Sequence, residues 1–544
     1  MQTPMPRVTD LTLEEKLGQM LMVRYPDRGI LEDMLARGWA GSFYFGMKGL
    51  PAEAVVAELN RLQALSKLSA LVAFGFACCD CGTGLLKGNL MRLGATRSRE
   101  LAYRLGYLET AEQRAYGFHF PGTPVLDVNT EPRNPIINTR AISDNVDLVC
   151  ELGLEVLRGV MDGRGLTCAM HFPGHGATVH DSHIVMPVDD RPFETLWELD
   201  LLPYRRAIER GLINGICTNH NYYPGLVTGE PRPATVCPEI ITHLLRGQMG
   251  YDGIITSDSL TMKPMNDAYG IEEAAILTVL AGHDLILQDY QSEPMITHTA
   301  LVEAVRAGRI SEAQVDASCA RVLRLKEWLG LFEERLTDPA SILELVATPA
   351  NRAFAMELAR RAVTCLEHEA LPLAPTDPSR VLVIANGSGE AVNIDMDITH
   401  DPAHERLHAA IRRRLPQART ITLSEKLAPE ELTAALRAAR EAEVVVFGLF
   451  TRVLCYHEDS IGLAPPYRQL IEQAAGLGKP IILLDFGNPY IMADLPRAQG
   501  ALLTYDEDCP ESIEACVEAL FGEIAPTGRL PVRVSARYPF GCSA

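Results

Sequence analysis

Residues 165–183 read Gly165-Leu-Thr-Cys-Ala-Met-His-Phe-Pro-Gly-His-Gly-Ala-Thr-Val-His-Asp-Ser-His183. The apolar run at its start predicts a buried strand, and the Pro-Gly punctuation predicts a long loop that leaves the strand's carboxyl end. Loops in that position hold the chemistry of parallel α/β folds. Asp181 could fix the tautomer of His183, which can exchange a proton near neutral pH. From this stretch alone, a structural loop is as good an interpretation as a catalytic one. Its polar groups would be satisfied by internal hydrogen bonds, and it would hold an adventitious metal.

Residues 10 to 330 alternate short apolar runs with amphipathic segments. The runs predicted as strands lie at residues 41–45, 71–76, 123–127, 165–169, 215–218, 253–256 and 284–287. Helical periodicity lies between them, for example at residues 147–160 and 272–280, and a helix at 312–329 ends the series. This α/β alternation favours an N-terminal (β/α)8 TIM-like barrel over an open sheet.

The alternation restarts after residue 366 with a second set of apolar runs. These predict strands at residues 381–384, 420–423, 444–448, 480–485 and 500–504. Helical patterns follow several of them, so we predict a doubly wound αβα sandwich. The predicted boundaries are a barrel over residues 1–335, a linker and helix over residues 336–365, and the sandwich over 366–544. The helical pattern of the middle segment spans residues 351–366. Residues 387–390, Gly-Ser-Gly-Glu, are a weak phosphate-loop signal because they lack the Lys-Ser/Thr ending.

Size and composition exclude several classes of protein. A chain of 544 residues is long enough for two cores, and 47% hydrophobic with 22% charged residues is typical of a globular protein. A formal charge of −20 argues against nucleic acid or an anionic membrane surface as the main partner. The sequence shows no signal-peptide pattern and no spanning apolar segment. Thirteen scattered cysteines predict reduced thiols and a cytoplasmic protein.

Ordered motifs run through nearly the whole chain. They are Leu11-Thr-Leu-Glu-Glu-Lys-Leu-Gly-Gln-Met20, Pro124-Val-Leu-Asp-Val-Asn129, Asn134-Pro-Ile-Ile-Asn-Thr-Arg140, His171-Phe-Pro-Gly-His-Gly176, Asp181-Ser-His183, Pro233-Ala-Thr235, Gly250-Tyr-Asp-Gly-Ile-Ile-Thr-Ser-Asp-Ser-Leu-Thr-Met262 and Thr527-Gly-Arg-Leu-Pro-Val532. In this set and order the chain resembles glycoside hydrolase family 3, in particular its β-N-acetylhexosaminidase branch. The resemblance implies the same two-domain fold that the alternation of apolar runs predicts.

The resemblance also implies three catalytic residues. Asp258 matches the nucleophile of a retaining double displacement that passes through a covalent glycosyl-enzyme intermediate. From its position alone, Asp258 is better interpreted as a helix N-cap for residues 259–262 than as a nucleophile. The family motif makes the nucleophile the stronger interpretation. His183 matches the acid/base and Asp181 its orienting partner, an exception to the two carboxyl groups of most retaining glycosidases.

The residues implied to bind the sugar depart from the family pattern. The family's Asp-x-Glu-x-Gly segment corresponds to residues 78–82, with Cys78 at the aspartate position and Asp80 at the glutamate position. An expected arginine corresponds to Leu86, and the lysine before the loop histidine to Met170. Arg140 and His171 keep the family's residue types. Each lost charged partner removes about 1.5–3 kcal/mol of binding, so these departures predict an altered glycone.

Two residues outside these motifs are further candidates. Glu458 lies in a segment similar to the one from which β-glucosidase-type members lend an acid/base glutamate, and a solvated acidic loop is the stronger alternative. His220 could line the pocket or could be a hydrogen-bonded core histidine. We expect His175 to shape the loop.

The sequence therefore predicts a retaining, cytoplasmic exo-β-glycosidase of the hexosaminidase type that acts on a small carbohydrate carrying a modified amino sugar. No cofactor or metal site is implied. One rival is a glycoside phosphorylase, because a histidine acid/base leaves no carboxylate to repel phosphate. The other is a non-catalytic sugar-binding protein on a decayed scaffold. The sequence does not give the oligomeric state.

Overall fold

The computed structural model describes residues 5–24, 28–45, 50–74, 89–120, 124–288, 293–387, 402–424 and 426–544. Its contacts divide the chain into two compact units. The first comprises Met1–Lys87, Ala102–Val128 and Gly153–Asn351, and the second comprises Gly88–Leu101, Asn129–Leu152 and Arg352–Ala544. The domain boundaries predicted from the sequence, which keep residues 1–335 together, stay a prediction.

Helices and strands alternate along the described chain. The strands are β1 (Leu21–Arg24), β2 (Ser42–Phe45), β3 (Leu71–Phe74), β4 (Ala169–Phe172), β5 (Gly215–Thr218), β6 (Ile254–Thr256), β7 (Ile286–Leu287), β8 (Thr364–Glu367), β9 (Val381–Asn386), β10 (Arg419–Leu423), β11 (Val444–Leu449), β12 (Ile481–Asp485) and β13 (Gly500–Leu503). The α-helices are α1 (Leu13–Gln19), α2 (Arg28–Arg37), α3 (Ala52–Leu65), α4 (Met91–Thr96), α5 (Arg99–Tyr116), α6 (Val146–Asp162), α7 (Phe193–Glu198), α8 (Leu202–Glu209), α9 (Lys263–Ala281), α10 (Pro294–Arg306), α11 (Glu312–Trp328), α12 (Ala340–Leu345), α13 (Pro349–Ala362), α14 (Ala403–Arg414), α15 (Pro429–Glu441), α16 (Pro465–Ala475) and α17 (Pro510–Leu520). The other helical segments are a π-helix at Glu239–Gln248 and 3₁₀ turns at Val8–Asp10, Asn138–Arg140, Ala234–Val236, Pro378–Arg380, Glu458–Ile461 and Pro489–Ala493.

The first unit is a closed parallel barrel. Its strands form two sheets, β3-β2-β1-β7 and β4-β5-β6. One junction is a parallel bridge between Thr256 and Leu285. At the other junction, residues 118–120 and 124–128 take the place of a strand, and two parallel bridges join this segment to β3 and to β4. The (β/α)8-like barrel predicted from the sequence is confirmed.

Side chains on the barrel strands separate into an inner and an outer core. Leu21 and Val23 on β1 belong to the outer core, which packs against the surrounding helices. Met22, between them, belongs to the inner core, whose amino-terminal end is closed by residues of and just after α11 such as Leu325 and Leu329. This alternation follows from the two-residue period of a strand.

The second unit is an αβα sandwich around a six-stranded sheet of order β10-β9-β11-β12-β13-β8. All neighbouring strands are parallel except β8, which pairs antiparallel with β13 at the sheet edge. Two segments from early in the chain belong to this unit. Met91 on α4 lies in its core, and the Asn129 side chain donates to the Tyr490 hydroxyl at 3.0 Å. The predicted doubly wound sandwich is confirmed.

Four predicted elements are corrected by the structure. The strand predicted at 165–169 lies instead at β4, because the backbone N–H of Thr167 bonds to the Asn214 side chain rather than to a neighbouring strand. The described residues 124–127 of the run predicted at 123–127 form no strand and make one isolated bridge, between Val125 and Met170. The helix predicted to reach residue 366 ends at Ala362, since the following residues pair with β13 as β8. The predicted linker contains α12.

Other expectations from composition can be compared with the described residues. In the part of the chain that the structure describes, no helix is long and apolar enough to cross a membrane. Ten cysteines in that part are free thiols. Residues 388–390 of the weak phosphate-loop signal lie outside the described residues.

Helices α5 and α6 approach each other through glycines. A Cβ on Gly159 would lie 2.2 Å from the Tyr103 carbonyl oxygen, and one on Gly106 would lie 2.2 Å from the Val156 carbonyl oxygen. Gly159→Ala should therefore lower the free energy of unfolding by about 1–3 kcal/mol, because the backbones must separate. Gly29→Ala on α2 is the matched control, since a Cβ there meets nothing within 4 Å. Chemical denaturation of both variants checks this, and equal midpoints would contradict it.

Candidate active site

The candidate residues of the first unit gather at one end of the barrel. His171 lies on β4, and Asp181 and His183 lie on the loop that follows it. His220 comes two residues after the end of β5, and Asp258 two residues after the end of β6. These strands are neighbours and parallel, so their carboxyl ends meet at the same edge. The backbone N–H of Lys263 donates to the His183 carbonyl at 3.4 Å and links the loops after β4 and β6.

Asp181 and His183 form a closely bonded pair. Oδ1 of Asp181 accepts from the backbone N–H of His183 at 2.7 Å and lies 2.7 Å from its Nδ1. This contact places a proton on Nδ1 and assigns proton exchange to Nε2. The Asp181 side chain is fully buried, whereas 24% of the His183 side chain is exposed. A buried carboxylate therefore holds an imidazole ring that solvent and ligand can reach.

Asp258 is held as a carboxylate. Its Oδ1 accepts from the Ser259 backbone N–H at 2.7 Å. Burial would raise its pKa, but the neighbouring histidines, with His220 the largest contributor, lower the pKa below its usual value. The alternative role as an N-cap is wrong, because α9 begins at Lys263 with Met262 in the N-cap position. An ionised, partly buried carboxylate at a barrel strand end can act as a nucleophile.

His220 supports the loop that carries Asp258. Its Nε2 donates to the Ser259 carbonyl at 2.9 Å, and its Nδ1 lies 2.8 Å from the Thr235 hydroxyl. Burial lowers the pKa of His220, although the charge of Asp258 acts in the opposite direction. Both ring nitrogens are thus engaged within the protein. The predicted substrate-binding role of His220 stays untested, and its contacts are those of a residue that orients Asp258.

Asp127 is a central residue that the sequence reasoning did not single out. Its Oδ2 lies 2.8 Å from His171 Nδ1 and accepts from the His171 backbone N–H at 3.1 Å. Its Oδ1 accepts from the His175 backbone N–H at 2.7 Å. Burial would raise the pKa of Asp127, but the interactions with His171 and His175 together lower the pKa below its usual value. The available signal was an acid inside the apolar run 124–128 at a strand end.

His175 shapes the loop, as expected from the sequence. Its Nε2 lies 2.9 Å from the Ser182 hydroxyl and its Nδ1 lies 3.0 Å from the Thr178 hydroxyl. Burial, together with the charge of His171, lowers the pKa of His175 to about 4. The ring is therefore neutral near pH 7 and holds together the two ends of the turn that leads to the Asp181–His183 pair.

The remaining predicted residues have different positions. Met170 on β4 is partly buried and contacts the inner barrel core. Arg140 ends the 3₁₀ turn Asn138–Arg140 of the second unit, where its Nη1 donates to the Ile136 carbonyl at 3.1 Å. Glu458 begins the 3₁₀ turn Glu458–Ile461 of the same unit, and its side chain lies outside the described part. Cys78, Asp80 and Leu86 also lie outside the described residues.

The described residues offer no arranged set of metal ligands. Within them, no group of three or more His, Cys, Asp or Glu side chains is placed to hold a metal ion. His171, His175 and His183 instead contact carboxylates or hydroxyls.

Asp200 lies under the loop that carries the histidines. A Cβ on Gly174 would lie 2.5 Å from the Asp200 Cβ, so the loop backbone rests directly on this side chain. Arg191 Nη2 lies 2.9 Å from Asp200 Oδ2 and also donates to Asp189 at 2.6 Å. Burial raises the pKa of Asp200 to about 7, although the charge of Arg191 acts in the opposite direction.

Comparisons with known families agree with this fold. The sequence model described as "Glycosyl hydrolase family 3 N terminal domain" matches residues 12–325, and the "Glycosyl hydrolase family 3 C-terminal domain" matches residues 365–538. The chain therefore belongs to glycoside hydrolase family 3, in the branch of the β-N-acetylhexosaminidases.

Individual relatives carry names from the same branch. The chain is 31% identical to "Beta-hexosaminidase A" of Pseudoalteromonas piscicida over 310 residues, 52% of this chain and 50% of that protein. It thus matches only about half the length of that relative. It is 26% identical to "Beta-N-acetylglucosaminidase/beta-glucosidase" of Cellulomonas fimi over 95% of this chain and 93% of that protein. A solved family 3 β-N-acetylglucosaminidase from Paenibacillus sp. str. FPU-7 superposes with a TM-score of 0.86 and 26% identity, covering 96% and 99% of the two chains.

The raised pKa of Asp200 makes a prediction about stability and pH. The folded state binds this proton up to about pH 7, whereas the unfolded state releases it near pH 4, so ionisation costs stability as the pH rises between them. Asp200→Asn should remove that loss. Relative to the unaltered protein, the variant should gain about 2 kcal/mol in free energy of unfolding between pH 5 and pH 8.

Urea denaturation at both pH values measures this difference. Asp190→Asn is the matched control, because Asp190 is an exposed aspartate ten residues earlier in the chain, before α7. A stability difference between Asp200→Asn and the unaltered protein that does not change with pH would contradict the prediction.

Proposed function

We propose that this protein is a retaining exo-β-glycosidase of the β-N-acetylhexosaminidase type. The observation that carries the proposal is the presence, at one barrel edge, of the ionised carboxylate of Asp258 and of the partly exposed imidazole of His183, which the buried carboxylate of Asp181 orients. The relatives named β-hexosaminidase and β-N-acetylglucosaminidase support the same reaction class. A cytoplasmic location stays part of the proposal.

In the first step, a carboxylate oxygen of Asp258 attacks the anomeric carbon, and the bond to the glycosidic oxygen breaks. His183 supplies the proton to that oxygen from Nε2, so the aglycone leaves as a neutral alcohol. Asp181 stabilises the imidazolium, because its Oδ1 bonds to the opposite ring nitrogen. The product of this step is a glycosyl ester on Asp258 and a neutral His183.

In the second step, Nε2 of His183 takes a proton from water while the water oxygen attacks the anomeric carbon. The ester bond to Asp258 breaks and restores its carboxylate. The two inversions at the anomeric carbon return the β configuration. Neutral His183 in this step carries no negative charge, so phosphate could replace water, and this keeps the phosphorylase as the rival to be tested.

The glycone is proposed to differ from plain N-acetylglucosamine. Met170, which contacts the inner core, offers no charged donor where the family pattern has a lysine. The departures at Cys78 and Leu86 point in the same direction. Hydroxyls left without partners in a pocket cost more than an imperfect fit, so a glycone with fewer hydroxyls or with other substituents is favoured.

Asp258→Asn tests the nucleophile. A 5-fluoro glycoside of an accepted glycone should label the peptide that contains Asp258, and the variant should neither label nor turn over, with kcat reduced by more than about 10³-fold. Mass spectrometry of the digested protein locates the label. Asp267→Asn, an exposed carboxylate nearby on α9, is the control and should keep full activity. Labelling at another residue would contradict the assignment of Asp258 as the nucleophile.

His183→Ala tests the acid/base. Loss of a general acid should cost about 10²–10⁴-fold on glycosides with poor leaving groups and much less on activated aryl glycosides, because only the former need a proton. Steady-state kinetics over a leaving-group series measure the slope, and parallel assays with phosphate detect any sugar 1-phosphate. If Glu458→Ala shows that dependence and His183→Ala does not, the role passes to Glu458. A sugar 1-phosphate as the main product would make the protein a phosphorylase.

A further inference from the structure

Arg24 is placed by its strand at the open end of the barrel. Met22 on β1 belongs to the inner core, whereas Leu21 and Val23 belong to the outer core. Since side chains two residues apart share a face, Arg24 points into the barrel. It is the last residue of β1 and is only partly buried. Leu331 and Trp328, after and at the end of α11, accept hydrogen bonds from Ser69 and Arg164, which precede β3 and β4. Residues of and around α11 therefore close the amino-terminal end of the inner core, and Arg24 is exposed at the carboxyl end, where Asp258 lies.

Tyr44 on β2 is the neighbour of Arg24. The two residues are directly paired in the register of β1 and β2. Adjacent strands lie about 4.8 Å apart and paired residues share a face, so the phenol and the guanidinium lie side by side. Tyr44 is also partly buried and contacts the inner core.

Two apolar side chains line the same inner core, Leu287 on the strand next to β1 and Met170 on the opposite side of the barrel. Met170 on β4 and Leu287 on β7 are partly buried and contact the same inner core. Leu287 pairs in register with Met22, so it stands on the inward face on the other side of β1. Among the described inward-facing residues of the two strands next to β1, Arg24 therefore has Tyr44 on one side and Leu287 on the other.

We propose that Arg24 and Tyr44 form a carboxylate-binding subsite, and that the natural glycone is an amino sugar that carries a carboxylate. The inference rests on the proposed function, whose pocket it extends. A guanidinium binds a carboxylate through two parallel hydrogen bonds, which are stronger where water is partly excluded. The phenol can donate a third. Met170 and Leu287 suit the C–H face of the sugar or the carbons that carry the acid.

The same arrangement explains why Met170 is compatible with a binding site. A lysine at that position would place a cation on β4, whereas here the described cation on the inward face is on β1. With methionine instead of lysine at position 170, a neutral sugar has one charged hydrogen-bond donor fewer. A sugar with a carboxylate has the Arg24 guanidinium as its donor. The pocket would thus discriminate between sugars by charge, which is a larger effect than the fit of a single methylene.

Three matched 4-nitrophenyl β-glycosides test the subsite. They are the N-acetylglucosaminide, its C6-oxidised uronide and its 3-O-carboxyethyl ether, so that the two acids distinguish where the carboxylate is attached. We expect kcat/KM for one acid to exceed that of the neutral parent by about tenfold or more. Arg24→Gln should lower kcat/KM for that acid by about 10- to 100-fold and change the neutral parent less than threefold. Tyr44→Phe should cause a smaller loss in the same direction.

Two variants act as controls. Arg24→Lys keeps the charge but not the paired donors, and should recover part of the preference for the acid. Arg37→Gln removes an exposed arginine of α2 that pairs with Asp33 and should leave both activities unchanged. The inference is overturned if the neutral glycoside is the better substrate of the unaltered protein, or if Arg24→Gln lowers all three rates equally, the result expected of a purely structural arginine. Absence of any cleavage or 5-fluoro labelling would overturn the proposed function, and this subsite with it.

Discussion

The constraint on which the candidate site depends is the matching of buried carboxylates with imidazole rings. Asp127 contacts His171, and Asp181 contacts His183. His220 and the neighbouring histidines reduce the free-energy cost of burying the negative charge of Asp258. A carboxylate buried without such a partner would cost several kcal/mol or would take up a proton. The loop after β4 can therefore fold over the end of the barrel only with these histidines in place.

Imidazole partners allow proton exchange beside the buried carboxylates. An arginine beside Asp181 would keep its charge through every step, whereas an imidazole can change its protonation state near neutral pH. The rings nevertheless differ in their bonding. His175 is buried between two hydroxyls with a pKa of about 4, while His183 keeps part of its ring exposed beside a carboxylate. Burial thus separates structural histidines from the one suited to proton transfer.

Local patterns in the sequence were sufficient for much of the fold. The apolar runs gave most barrel strands and all five predicted sandwich strands, because periodicity reports burial directly. They did not give β1, where four residues follow α1 without a turn signal, or β8, a short edge strand. The position of β4 was missed because Thr167 uses a side chain from a distant segment as its partner. Such pairings depend on tertiary structure.

The site was predictable to a similar extent. The motifs identified Asp258, Asp181 and His183, whose roles remain proposals, and the structure places them at one barrel edge. Asp127 could not be ranked above other acids, since its importance lies in reaching two backbone N–H groups 44 and 48 residues away. The inward direction of Arg24 likewise required the register of β1 and the separation of the two cores.

The interleaving of the two units in sequence affects how the chain can be made. Segments Gly88–Leu101 and Asn129–Leu152 leave the ribosome early, yet they belong to a unit whose sheet is encoded after residue 352. Met91, in the core of that unit, must wait for strands that are synthesised last. The nascent chain therefore carries apolar surface without its final partner through most of translation, and a truncated C-terminal half would lack part of its own core.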